Sequence, residues 1–127
     1  MVKLLVLAAL ALATTAPAVK PGTSQYGRVL FDSRGFALYA FTHDANGKSR
    51  CTGDCAKAWP PYIVKRAEAA NLLGTTRRAD GRLQLTYAGK PLYYYVGDRK
   101  PGQILCQNVK EYGGLWLVVR PDGSYVR

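Results

Sequence analysis

A chain of 127 residues with a formal net charge of +10 holds one domain of ordinary size. Its 18 Lys and Arg residues are scattered, and Lys65-Arg66, Arg77-Arg78 and Arg99-Lys100 are the only adjacent pairs, which excludes a basic nucleic-acid-binding tail. The chain opens on a targeting pattern. Met1-Val2-Lys3 supplies a positive start, Leu4 to Ala13 an apolar run, and Ala16-Pro17-Ala18 a small-x-small site. That pattern predicts a secretory signal peptide over 1–18, cleaved after Ala18 or within two residues of it, and the run is too short to span a membrane. No cysteine lies near the cleavage site, so the expectation is a periplasmic or secreted protein with no lipid anchor and no transmembrane segment after cleavage. Export argues against nucleic acid as a partner. A positive exterior outside the cytoplasm fits anionic envelope polymers, lipid head groups or another envelope protein.

Residues 19–25 read as a flexible leader, and 26–127 as a single β domain. Arg28 to Asp32 and Ala37 to Thr42 flank Ser33-Arg34-Gly35, which predicts a hairpin. A polar loop follows, with one helical turn expected over Cys51 to Trp59 before Pro60-Pro61 ends it. Tyr62 to Val64 reads as a short strand. Residues 66–74 have helix propensity and read as a connector, although Leu72-Leu73 to Arg77 also fits the start of a strand. Leu83 to Tyr87 and Leu92 to Val96 flank Ala88-Gly89-Lys90-Pro91 as a second hairpin, and Leu115 to Val119 forms the last strand.

The two hairpins repeat one pattern. Tyr39-Ala40-Phe41-Thr42-His43-Asp44 reads Y-x-F-x-x-D, and Tyr93-Tyr94-Tyr95-Val96-Gly97-Asp98 reads Y-x-Y-x-x-D, 54 positions on. Gly27-Arg28 aligns without a gap with Gly81-Arg82, and Gly35 with Gly89. An internal repeat at this period means one structural unit used twice, here over about 26–65 and 75–120. Each loop after a motif leads to a tryptophan, Trp59 or Trp116. The fold class is therefore mostly β: two pseudo-symmetric antiparallel units with short helical turns in their loops, packed as a sandwich or a small barrel.

In a strand, Tyr39 and Phe41 point to one face and Leu38 and Ala40 to the other, and Tyr93 and Tyr95 repeat this. Asp44 lies roughly 16 Å beyond Tyr39 along a straight strand. Asp44 and Asp98 then have two uses. Each holds the following turn by accepting backbone N–H groups, or each receives the phenol of the other repeat's tyrosine. The first is the ordinary use of such an aspartate and makes the motif a hairpin-ending device, with Tyr39 and Tyr93 bridging core and rim.

Cys51 and Cys55 are close enough for a disulfide if Thr52-Gly53-Asp54 turns, which leaves Cys106 over. A metal site on His43, Asp44, Cys51 and Cys55 is incomplete by the standards of zinc. A Cys106–His43 nucleophile pair has no supporting local sequence. The acids are few, and two of the eight sit in the Asp-Gly turns Asp80-Gly81 and Asp122-Gly123. No catalytic residue, metal or cofactor is therefore assigned. Tyr93-Tyr94-Tyr95 with neighbouring Arg and Lys also suits a stacking face for carbohydrate or polyanion.

These residues resemble the bacterial secreted-repeat lipoproteins marked by a Y-x-[FWY]-x-x-D motif. The carriers are Leu38 to Asp44, Cys51-Thr52-Gly53-Asp54-Cys55-Ala56, Trp59-Pro60-Pro61, Arg78-Ala79-Asp80-Gly81, Gly89 to Tyr93, Asp98 to Gly102, and Trp116. The resemblance spans about 26–123. It implies an exported envelope protein, often lipid-anchored, without an established activity. This chain departs from it in lacking a lipobox cysteine and in placing Cys106 where glycine is usual. The reading is an exported, non-enzymatic binding or structural module of the envelope. A small periplasmic redox or metal-handling protein using Cys51, Cys55, Cys106 and His43 is the alternative.

Overall fold

The computed structural model describes residues 3, 5 and 17–127, so the expected signal peptide lies almost wholly outside the described residues. Nine strands and one short helix follow in order: β1 (Val19–Ser24), β2 (Gly27–Asp32), β3 (Tyr39–Phe41), α1 (Asp54–Ala58), β4 (Ile63–Val64), β5 (Leu73–Arg77), β6 (Leu83–Tyr87), β7 (Lys90–Pro91), β8 (Val109–Glu111) and β9 (Gly114–Val118). All pairing is antiparallel. The sheets run β1-β2, β3-β9-β8 and β4-β6-β5, with β7 also on β6. None closes into a barrel, and the fold is sandwich-like with little helix. No helix among the described residues is long and apolar enough to cross a membrane.

The repeats do not fold side by side. β3 of the first repeat pairs with β9 of the second, and β4 with β6. At the centre, Tyr39 N–H donates to the Tyr93 carbonyl at 2.8 Å, and Tyr93 N–H donates to the Tyr39 carbonyl at 2.9 Å. A doubly bonded antiparallel pair of equivalent residues has a local twofold between them, so the pseudo-symmetry axis passes here. The alignment is gapped, however. Leu38 N–H bonds the Leu30 carbonyl, and its counterpart Leu92 N–H bonds that of Leu85, so the first hairpin turn is one residue longer than the second.

Three sequence expectations change. Residues 19–25 are no loose leader: Val19–Ser24 is a complete partner of β2, in register from Val19 opposite Asp32 to Ser24 opposite Gly27. Its polar, Pro-containing sequence hides it because it is a half-exposed edge strand, where Pro21 lacks no needed donor. The 66–74 connector contains no helix. Residues 73–77 join β6, and five-residue pairing outweighs a propensity too short to nucleate a helix. The expected Leu92–Val96 strand reduces to isolated bridges because its neighbour is Pro60-Pro61. Those prolines accept but cannot donate: Tyr94 N–H bonds the Pro60 carbonyl at 2.8 Å and Val96 N–H that of Ala58 at 3.0 Å.

Strand alternation divides the interior in two. Tyr39 and Phe41 enter an aromatic cluster with Trp59, Tyr93 and Trp116, whereas Leu38 and Ala40 face an aliphatic cluster with Leu30, Leu85, Leu92 and Val119. The strands crossing between repeats approach closely at Gly114, where a Cβ would lie 2.8 Å from Phe41 Cε2 and 2.9 Å from the His43 nitrogen. Gly114→Ala is therefore expected to destabilise the fold by about 1–3 kcal/mol, read as a lowered thermal midpoint.

Candidate functional site

The two motifs converge. Phe41 stacks on Trp116 at 4.1 Å between centroids, Trp116 on Trp59 at 4.1 Å, and Trp59 meets Tyr95 at 4.8 Å. This is one four-ring column whose ends are the second aromatic of each motif and whose middle is the tryptophan of each repeat. Tyr39 and Tyr93 pack edge-on to Trp59 and Trp116 at 5.1 and 5.0 Å. Such contacts contribute about 0.5–1.5 kcal/mol each beyond burial. Both indoles end on one residue: Trp59 Nε1 donates to Glu111 Oε2 at 3.1 Å and Trp116 Nε1 to the Glu111 carbonyl at 3.2 Å.

Tyr39 and Tyr93 lie wholly inside, not at the rim. Their phenols cross the pseudo-twofold: Tyr39 donates to Asp98 Oδ2 and Tyr93 to Asp44 Oδ2, each at 2.7 Å. The other oxygen of each carboxylate holds a turn, Oδ1 of Asp44 accepting Arg50 N–H at 2.7 Å and Oδ1 of Asp98 accepting Leu105 N–H at 2.9 Å. The two uses weighed from sequence thus coexist, one per carboxylate oxygen. Burial pushes both carboxyls above the ordinary range, against the lowering effect of these hydrogen bonds.

Cys51 and Cys55 form a buried disulfide beneath α1. Cys106 is its half-complete image. Cys51 and Cys106 each follow the residue whose N–H holds the motif aspartate, but the second repeat has Tyr112, not cysteine, four residues before its tryptophan. Cys106 is a free thiol, half-buried, and burial pushes its pKa up. His43 is exposed and tilts against Phe41. Of the tyrosine triplet, Tyr93 and Tyr95 serve the column, and Tyr94 donates to Asp32 Oδ2 at 2.9 Å.

Several residues at work here were not singled out from the sequence. Asp32 is buried and accepts the N–H groups of Arg34 and Phe36, the Arg34 guanidinium and the Tyr94 phenol. Burial raises its pKa, but these bonds outweigh burial and hold it below the ordinary value. The Asp-Ser-Arg-Gly turn was its available signal. Arg78 is buried, donating from Nη1 to Ser49 Oγ at 3.0 Å and Gln84 Oε1 at 2.7 Å, and from Nη2 to the Cys51 carbonyl at 2.7 Å. Ser49 Oγ also lies 2.7 Å from the Tyr93 phenol oxygen, to which its hydroxyl donates while that phenol donates to Asp44, and this links Arg78 to the motif. In the sequence Arg78 is only the second of an adjacent basic pair and the first residue of one carrier of the family resemblance, and residue type alone does not separate it from the exposed Arg77.

Tyr39→Phe and Tyr93→Phe are each expected to cost about 1–3 kcal/mol in a denaturant titration, because a buried carboxylate loses its donor. A double-mutant cycle with Asp98→Asn or Asp44→Asn isolates the bond; zero coupling would show it idle. Burial, then the partner carboxylates, push the Tyr39, Tyr93 and Tyr94 phenols well above their ordinary 10.0. Below that value folded and unfolded chains both keep these protons, and above it the unfolded chain releases them first. Stability is thus expected to fall as pH rises past about 10, measured as thermal midpoint between about pH 8 and pH 12.

The comparisons with known proteins agree with this doubled architecture. The family model described as a secreted repeat of unknown function matches residues 20–62 and again 74–120, so its first copy begins inside β1 and its second inside β5. No curated protein and no solved structure matches the chain. With two copies of that repeat covering most of its length, the chain belongs to the family of secreted repeats of unknown function.

Proposed function

We propose that this protein is an exported, non-enzymatic module of the bacterial envelope that binds anionic polymers through its cationic exterior. The observation that carries the reading is the segregation of charge. Of the eight acidic residues, Asp32, Asp44, Asp98 and Glu111 are committed to internal partners. Of the exposed acids, Asp54 and Asp80 are paired with Lys57 and Arg82. The Lys and Arg side chains, by contrast, lie almost all at the surface, and Arg78 is the one that is buried. The exterior is therefore more positive than the net charge of +10 conveys. The secreted-repeat family supports export. The motif residues support a structural role, since their polar groups are satisfied within the fold. The redox or metal alternative loses two of its thiolates to the Cys51–Cys55 disulfide.

The test is retention of the mature chain, from Val19, on immobilised poly-glutamate and on poly-lysine. Retention on the polyanion alone is expected, weakening strongly between about 0.01 M and about 0.15 M salt as the Debye length shrinks. Equal behaviour on both supports, or salt-independent retention, would sink the reading.

A further inference from the structure

Beside α1 an open cleft of about 430 Å³ is lined by Thr52, Gly53, Ala56, Arg78, Ala79, Asp80 and Arg82. That volume is within the range of small-molecule sites. One wall is the buried Arg78. Its guanidinium has five donors, and the protein uses three of them, all on neutral acceptors: Ser49 Oγ, Gln84 Oε1 and the Cys51 carbonyl. Its Nε–H has no partner. No carboxylate among the described residues forms an ion pair with it, and hydrogen bonds reach Asp44 only through the Ser49–Tyr93 relay. Asp44 and Asp80 act on it through space, without direct contact. A buried cation with no carboxylate in direct contact is costly, and an anion supplied from outside lowers that cost. The one acid on the cleft, Asp80, makes no direct contact with Arg78, because its oxygens are taken by Arg82. Its Oδ2 takes Arg82 Nε and Nη2, both at 2.8 Å, and its Oδ1 takes the Arg82 N–H at 3.0 Å. Arg82 in turn adds a second cation to the wall.

We propose that this cleft is an oxyanion subsite, taking a phosphate or carboxylate group against Arg78 with Arg82 at its rim. A guanidinium suits both groups because its planar fork matches two oxygens at once. The inference deepens the polymer reading by naming where an acidic group of the polymer docks, and it rests on that reading for the source of the anion. Neither the aspartate–tyrosine clamp nor the disulfide takes part directly; they fix Ser49 and Cys51, which orient Arg78.

The experiment is thermal unfolding and NMR titration of the mature chain with inorganic phosphate and with acetate, against chloride at equal ionic strength. Replacing Arg78 itself risks unfolding the chain, so the informative variant is Ala79→Glu, an exposed wall position that supplies a carboxylate of its own. Lys110→Glu, on β8 and outside the cleft lining, lowers net charge by two against one for Ala79→Glu and so more than controls for it. Phosphate, acetate or both are expected to raise the midpoint of the wild type and to shift the amides of Thr52, Gly53 and Ala79, and whichever acts identifies the group. Ala79→Glu should weaken that binding by about tenfold or more, and Lys110→Glu should leave it within about twofold. No response beyond chloride, or equal responses in the two variants, overturns the subsite. Loss of poly-glutamate retention with the phosphate or acetate response intact would instead overturn the polymer reading and leave the subsite standing.

Discussion

The exchange of tyrosine and aspartate across the pseudo-twofold is the constraint on which the rest depends. A tyrosine buried without a partner for its hydroxyl would be costly, and so would an aspartate buried without donors. Placing each tyrosine in one repeat and its acceptor in the other means that neither repeat satisfies its own motif. The backbone makes the same demand, since β3 finds its partner in β9 and β4 in β6. The aromatic column then packs only when both halves are present, because Phe41 stacks on the tryptophan of the second repeat and Tyr95 against that of the first. A duplication has in this way become a single cooperative unit.

The same constraint shapes the electrostatics. Asp44 and Asp98 are held inside at some expense, as their raised carboxyl pKa values record. Asp32 differs because it gathers enough donors to offset burial. With these acids turned inward, the exterior is left to lysine and arginine. Charge that looks scattered along the chain becomes segregated in space, and a positive surface follows from how the core satisfies its hydroxyls. Arg78 is the exception, a cation drawn inside to organise Ser49, Gln84 and the Cys51 carbonyl.

Departures from symmetry are as informative as the repeat. The first unit closes its loop with a disulfide and a helical turn, and the second with the β8–β9 hairpin and the lone thiol of Cys106. Pro60-Pro61 stands where the second repeat has Leu117-Val118, and so one flank of the central pair is a regular ladder while on the other the prolines donate nothing and the bonds run to the Pro60 and Ala58 carbonyls and from Tyr62 N–H. Tyr94 adds a third tyrosine–aspartate bond between the repeats, to Asp32, that has no counterpart in the other direction.

By itself the sequence determined the doubling, the mostly β class, the alternation that sends Tyr39 and Leu38 to opposite faces, and the proximity of Cys51 and Cys55. These are local or periodic properties, carried by residue type and spacing. The two candidate uses of the motif aspartates were also legible, but only the tertiary structure decided that a carboxylate with two oxygens serves both. β1 was invisible because an exposed edge strand needs no apolar alternation, and the helical reading of 66–74 yielded to pairing that propensity does not encode. Asp32 and Arg78 look like ordinary surface residues in the chain. Their roles depend on partners as far as 27, 29 and 62 positions away, and those distant partners are brought together only when the strands of the two repeats interleave.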